Sequence, residues 1–157
     1  KKINKKLLKK EIAYIPQKIK PCWGTVNNYM IKTISNTKHL KNDVDAQVKK
    51  ICKLMNCSYL TLRKMRDLTP GQLRWVTLAA CIASDTKVLI IDEVEQHLTK
   101  KMYSILINLL YKKTNRDGTS IVLSTLIPEN INQFSSVIIT LSDGRITSVR
   151  SKKKKNK

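Results

Sequence analysis

No apolar stretch in this sequence is long enough to cross a bilayer. The longest, residues 76–83, falls far below the roughly 20 residues that a spanning helix needs. A secretory leader is not legible either. The opening KKINKKLLKKE is basic, with no apolar centre and no small-residue cleavage pattern. Histidine is scarce, and His39 and His97 stand too far apart to suggest a metal centre. Cys22, Cys52, Cys57 and Cys81 form no metal-type pairs, which points to reduced thiols in a cytosol-like compartment. Acidic side chains are few: 11, against 31 Lys and Arg, for a formal charge of +20. No aromatic residues interleave with the terminal lysines, which argues against single-strand binding by the tails. Internal repeats are absent.

What is present is a chain of 157 residues with 41% apolar side chains, enough for one domain with a real core. Lys1, Lys2, Lys5, Lys6, Lys9 and Lys10 crowd one end; Lys152 to Lys155 and Lys157 crowd the other. Two readings of these ends stand side by side. They are solvated, frayed termini, or they attract an anionic lipid surface or nucleic acid.

Residues 1–10 read as a basic flexible or weakly helical lead. IAYI (12–15) reads as a strand stopped by Pro16, and PQKIKPCWG as a loop. From Thr25, Val26, Met30 and Ile34 recur at four-residue spacing and predict a helix. After the polar break SNTKHLKND, Val44, Val48, Ile51 and Met55 mark a second helix. A polar connection is expected around 57–67. Beyond Pro70 and Gly71 a helix runs to about Ser84, with Leu73, Val76, Ala80 and Ala83 on one stripe and Trp75 read as packing. VLII (88–91) predicts a buried strand. Met102, Ile105, Leu106, Leu109 and Leu110 predict an amphipathic helix used for packing. IVLST (121–125) and VIITL (137–141) are further strands, and Ser142-Asp143-Gly144-Arg145 is a hairpin turn. The order implies an α/β fold with an all-helical insertion. Short apolar strands such as VLII suit a parallel sheet covered on both faces.

Asp92 and Glu93 follow VLII directly. A carboxylate at the carboxyl end of a parallel strand sits where open α/β sheets bind ligands. It can hold Mg²⁺, which takes oxygen ligands and keeps several waters. A second carboxylate one residue on can orient or deprotonate a water. The same pair also reads as an ordinary approach to a helix, with Thr99 as its cap.

The chain resembles the ATP-binding-cassette ATPase family over about residues 11–150. YIPQ (14–17) resembles its Q-loop and GTVNNYM (24–30) the start of its helical subdomain. LTPGQLRWVTLAAC (68–81) is similar to the signature stretch and its helix, and VLIIDE (88–93) to Walker B. QHLT (96–99) falls on the D-loop, STLI (124–127) on the switch-histidine segment, and SDGRI (142–146) on the closing hairpin. The resemblance implies a partial P-loop NTPase fold, mostly parallel, with an inserted helical subdomain. It divides the chain into lead (1–10), Q-loop strand and loop (11–24), helical subdomain (25–67), signature helix and Walker B core with hairpin (68–150), and basic tail (151–157). It also implies roles: Asp92 and Gln17 at Mg²⁺, Glu93 as general base with Gln17 beside it, and Leu68, Thr69, Pro70, Gly71 and Gln72 at ATP.

The departures shape the functional expectation. No G-x-x-x-x-G-K-[ST] phosphate loop occurs in the sequence. Pro70 stands at the signature's middle glycine and removes one N–H donor. Val94 replaces the proline after Walker B, Thr99 the D-loop aspartate, and Leu126 the switch histidine. The expectation is a split or degenerate ATP-binding half of a transporter. It would lie at the cytoplasmic or organelle-matrix face of a membrane and share ATP and Mg²⁺ with a partner. The partners implied are a transmembrane subunit and a second ATPase chain or amino-terminal piece that completes the sheet. Nucleic-acid-directed cassette proteins, either head domains or ribosome-associated, are one alternative. The 50-odd residues between Gln17 and Leu68 carry no heptad array, against the head-domain form. A nucleotide-free interaction module is another alternative.

Overall fold

The computed structural model describes residues 8, 10–37, 43–132 and 135–152. Most of the lead, most of the basic tail and His39 lie outside the described residues. The described chain falls into two compact units, one ending at Thr125 and the other beginning at Leu126.

In the first unit, β1 (Ile12–Ile15), β2 (Val88–Ile91) and β3 (Ser120–Leu123) form a parallel sheet in the order β1-β2-β3. Ile12 pairs with Val88 and Val88 with Ser120; Ile15 pairs with Ile91 and Ile91 with Leu123. The three carboxyl ends are therefore flush, and Pro16, Asp92 and Ser124 leave the sheet side by side. Successive strand side chains alternate faces. Ala13, Ile15, Leu89 and Ile91 are buried, whereas Tyr14 and Val122 are 56% and 60% exposed. Burial on both faces, expected from the apolar run of β2, is thus not found among the described residues. Apolar composition reports what a strand tolerates on each face, not what covers it.

The helix α3 (Pro70–Ala83) is the centre of the core. Every residue from Leu73 to Ala83 is buried, so it lacks the single apolar stripe of a surface helix. It packs against α1 (Val26–Ser35), α2 (Val44–Leu54) and β1. Trp75 is buried, as its packing role requires, and its Nε1–H donates to Met55 O at 2.8 Å. Thr69 caps α3 reciprocally: its Oγ1 accepts from Gln72 N, and Gln72 Oε1 accepts from Thr69 N. Pro70 takes the first helical position, where its missing N–H and fixed φ are no burden to the helix. Thr69→Ala loses the bond from Gln72 N–H to Oγ1, keeps the one that its own backbone N–H donates to Gln72 Oε1, and should lower stability by about 1 kcal/mol in urea unfolding.

Val26, Met30 and Ile34 of α1 are all fully buried, and α2 buries Val48, Ile51 and Cys52. The connection from 57 to 67 is not simply polar. Cys57, Leu60 and Met65 are buried, and two 3-10 turns, Ser58–Leu60 and Met65–Asp67, run through it. It is tied to the start of α1 by Val26 N–H to Arg63 O and Met65 N–H to Gly24 O. Three anchors spaced among polar residues have no period to read. The helix α4 (Lys100–Arg116) is capped by Thr99, whose side chain accepts from Met102 N, and it buries Leu106 and Leu110.

Burial in α3 pushes the Cys81 thiol up to about 12. The folded state holds it neutral, while the unfolded thiol ionises near its ordinary value of about 8.5. That stabilisation is full below pH ~8.5 and is lost as pH rises toward 12. Cys81→Ala should flatten the alkaline fall of the unfolding midpoint.

The second unit contains β4 (Val137–Ser142) and β5 (Arg145–Ser151), an antiparallel hairpin. Asp143 (φ 50°) and Gly144 (φ 73°) make the left-handed two-residue turn that such hairpins favour.

Candidate functional site at the strand ends

The flush ends of β1, β2 and β3 bring the Pro16–Gln17 turn and the Asp-Glu turn together. Asp92 N–H donates to Ile15 O, and Val94 N–H donates to Ser124 O, both at 3.0 Å. Val94 is fully buried and anchors the turn from below. Glu93 adopts φ 46°, a left-handed conformation rare outside glycine. Ser124 fixes both acids: its Oγ–H donates to Asp92 Oδ1 at 2.7 Å, and the oxygen accepts from Glu93 N–H at 2.7 Å. Gln17 Nε2 donates to Glu93 Oε1 at 2.6 Å.

Beneath this cluster lies Arg74, 1% exposed. Its Nη1 donates to Pro16 O at 2.6 Å, and its Nη2 to Asp92 O at 2.5 Å and Glu93 O at 2.9 Å. Burial lowers the Arg74 pKa, and the charges of Asp92, Glu93 and Glu95 oppose that shift. An arginine so placed stays protonated.

The sequence-predicted residues are thus partly assembled. Gln17, Asp92 and Glu93 meet at one point, with Gln17 bonded to Glu93. Thr69 and Pro70 are exposed at the start of α3, and the Gln72 side chain is engaged in the cap. Gln17, Leu68, Pro70, Leu73, Arg74, Gln96 and His97 share the wall of a cavity of about 430 Å³. Gly71 has a steric reason for being glycine: an added Cβ would lie 2.9 Å from His97 O. Gly71→Ala must displace the 95–98 turn and should cost roughly 1–3 kcal/mol, read as a fall in the urea midpoint. Leu126 is exposed. Ser124 and Arg74 carry the site's geometry, yet neither is assigned a role by the sequence patterns. A hydroxyl just past β3 and a lone arginine in an apolar helix were the available signals.

The donor set fits Mg²⁺ in kind. Two carboxylates and an amide carbonyl are hard oxygen donors, suited to a cation that keeps several waters. Among the described residues no group of three or more His, Cys, Asp or Glu converges as a cage. Asp92 and Gln17 are the residues that would hold such an ion.

Solved structures of similar fold define the class. A structure titled as the ATP-binding subunit of an ABC transporter matches 93% of this chain and 61% of its own at TM-score 0.79 and 14% identity. A dimeric ATP-binding cassette bound to ADP and Pi matches 93% and 65% at TM-score 0.76 and 20% identity. The fold is therefore that of an ABC-type P-loop NTPase domain.

The ABC transporter family model matches residues 1–96, and the chain belongs to that family. Among curated relatives, the energy-coupling factor transporter ATP-binding protein EcfA3 of Oenococcus oeni is 31% identical over 67% of this chain and 36% of its own length. The methionine import ATP-binding protein MetN of Lacticaseibacillus paracasei is 34% identical over 62% of this chain and 29% of its own. The chain spans about a third of the length of these relatives. No helix among the described residues is long and apolar enough to cross a membrane.

Proposed function

We propose that this chain is part of the ATP-binding subunit of an ABC transporter, with Asp92, Glu93 and Gln17 acting on Mg²⁺–ATP. Mg²⁺ would supply charge neutralisation at the phosphates. Asp92 would hold the hydrated ion. Glu93, held by Gln17, accepts a proton from the attacking water where turnover occurs. Leu68 to Gln72 present the α3 N-terminus to nucleotide, with one N–H fewer because of Pro70. The observation that carries this reading is the Gln17–Glu93 bond, formed across 76 residues at the carboxyl ends of parallel strands.

The phosphate-cradling backbone comes from outside the residues described. The open face with Tyr14 and Val122 and the edges of β1 and β3 need a covering element. An amino-terminal segment or a second ATPase chain provides both. The membrane partner binds the helical subdomain, where Tyr59 and Leu62 are 70% and 86% exposed, beside Trp23 of the preceding loop at 79%. The Trp23 ring is held 3.1 Å beneath the Arg66 guanidinium. Peripheral attachment at the cytoplasmic or organelle-matrix face follows, aided by attraction of the +20 charge to anionic lipid.

The test is photolabelling of the full chain, in membranes from its source, with an azido-ATP. The expected result is Mg²⁺-dependent labelling of a complex that includes this chain and a membrane subunit. Absence of labelling, with steeply salt-sensitive retention on RNA or DNA instead, overturns the proposal in favour of a nucleic-acid role.

A further inference from the structure

We infer that Arg74 is a positioning residue that holds Gln17 and Glu93 in register. The inference deepens the reading above, because Gln17 and Glu93 matter chemically through it. Three main-chain carbonyls, Pro16 O, Asp92 O and Glu93 O, converge on one guanidinium. Pro16 immediately precedes Gln17. Asp92 and Glu93 are the acid pair itself. One planar cation therefore fixes the backbone on both sides of the Gln17–Glu93 bond.

The need for a cation there is physical. The left-handed φ of Glu93 belongs to a turn whose consecutive carbonyls, Asp92 O and Glu93 O, accept from the same nitrogen. Two acceptors crowded together and shielded from water repel each other unless a donor stands between them. Arginine meets this demand because its fork offers several donors in fixed directions, whereas the lysine ammonium is a single point. Its three hydrogen bonds go to main-chain oxygen, and the carboxylates of Asp92, Glu93 and Glu95 act on it only through their charge.

The placement of Arg74 also links the site to the signature. It lies one turn into α3, four residues after Pro70, on a helix whose every later residue is packed. Its Nε has no hydrogen-bond partner among the described residues, and Arg74 shares the cavity wall with Gln17 and Pro70. A shift of the α3 N-terminus therefore reaches the acid pair through one rigid group. Arg74 touches no reacting atom in this scheme; it acts by placing Gln17 and Glu93.

The test is hydrogen exchange of the Gln17 side-chain amide in the full chain, followed by NMR without nucleotide, beside urea unfolding. In Arg74→Met the Gln17 amide should exchange about tenfold faster or more, the loss expected for charge-assisted bonds. Arg74→Lys should fall between Arg74→Met and the parent. Native exchange in a folded Arg74→Lys or Arg74→Met variant overturns the inference, since a merely structural arginine changes stability alone. If neither variant folds, the parent chain decides. Its Arg74 Nη protons should be separately resolved and slow to exchange; rapidly averaged Nη signals contradict the clamp. These readouts need no nucleotide. They fail independently of the photolabelling result, which tests the functional reading alone.

Discussion

Trp75→Ala should lower the stability of this chain by about 3–5 kcal/mol, the usual range for deleting a buried indole. Two effects add. Trp75 is 3% exposed on the helix that α1, α2 and β1 all contact, so its loss opens a cavity that packed neighbours cannot refill. Its Nε1–H also satisfies Met55 O at the end of α2, a carbonyl that would then lie without that donor. Trp75→Phe separates the two, because it keeps much of the ring and loses the N–H. It should cost about half as much or less, near the 1–3 kcal/mol of one stranded buried group. Urea unfolding followed by circular dichroism reads both. Equal losses for Phe and Ala would show that the hydrogen bond, not the packing, sets the position.

Asp92→Asn should cut the Mg²⁺-dependent part of nucleotide affinity by about a hundredfold, some 2.7 kcal/mol, while leaving the fold intact. The substitution is chosen because an amide oxygen still accepts from Ser124 Oγ–H, so the turn keeps its tie to β3. Only the charge facing the cation is removed. Glu93→Gln should behave differently: binding is retained, because the acid is assigned to the water, and any turnover is lost. Titrations of the full chain in its complex, with and without Mg²⁺, measure this. Equal weakening with and without Mg²⁺ would place Asp92 in a structural role.

The helices were legible where apolar spacing was regular. Val26, Met30 and Ile34 are all buried at the spacing of one helix face, and Thr25, Thr69 and Thr99 cap the helices that follow them. The strands VLII and IAYI were legible from composition and from Pro16. Parallel pairing was expected from the short, fully apolar strands, and both ladders of the three-stranded sheet are parallel. The segment 57–67 was not legible, because Cys57, Leu60 and Met65 are anchors without periodicity. The open face with Tyr14 and Val122 was not legible from the strands alone, since strand composition is silent about neighbours.

At the site, Asp92 and Glu93 were readable because two acids behind an apolar strand are conspicuous in so basic a chain. Gln17 was readable only through the family resemblance; its bond to Glu93 spans residues that no local pattern connects. Arg74 and Ser124 went unassigned for a related reason. Arg74 works through main-chain carbonyls, which every residue has. Ser124 works through a register that sets it beside Asp92 only after the sheet has formed. Gly71, by contrast, was read with the signature, while the structure adds a steric role against His97 O.

The central claim is that the cluster at the strand ends receives a divalent cation together with nucleotide. Paramagnetic broadening tests it most directly: Mn²⁺ with ATP is titrated into the isotopically labelled full chain in its complex. The account predicts that the side-chain amide of Gln17 and the backbone amides of 92–94 and 124 broaden first, and that Asp92→Asn abolishes the effect. Broadening that begins elsewhere, or that survives Asp92→Asn unchanged, contradicts it.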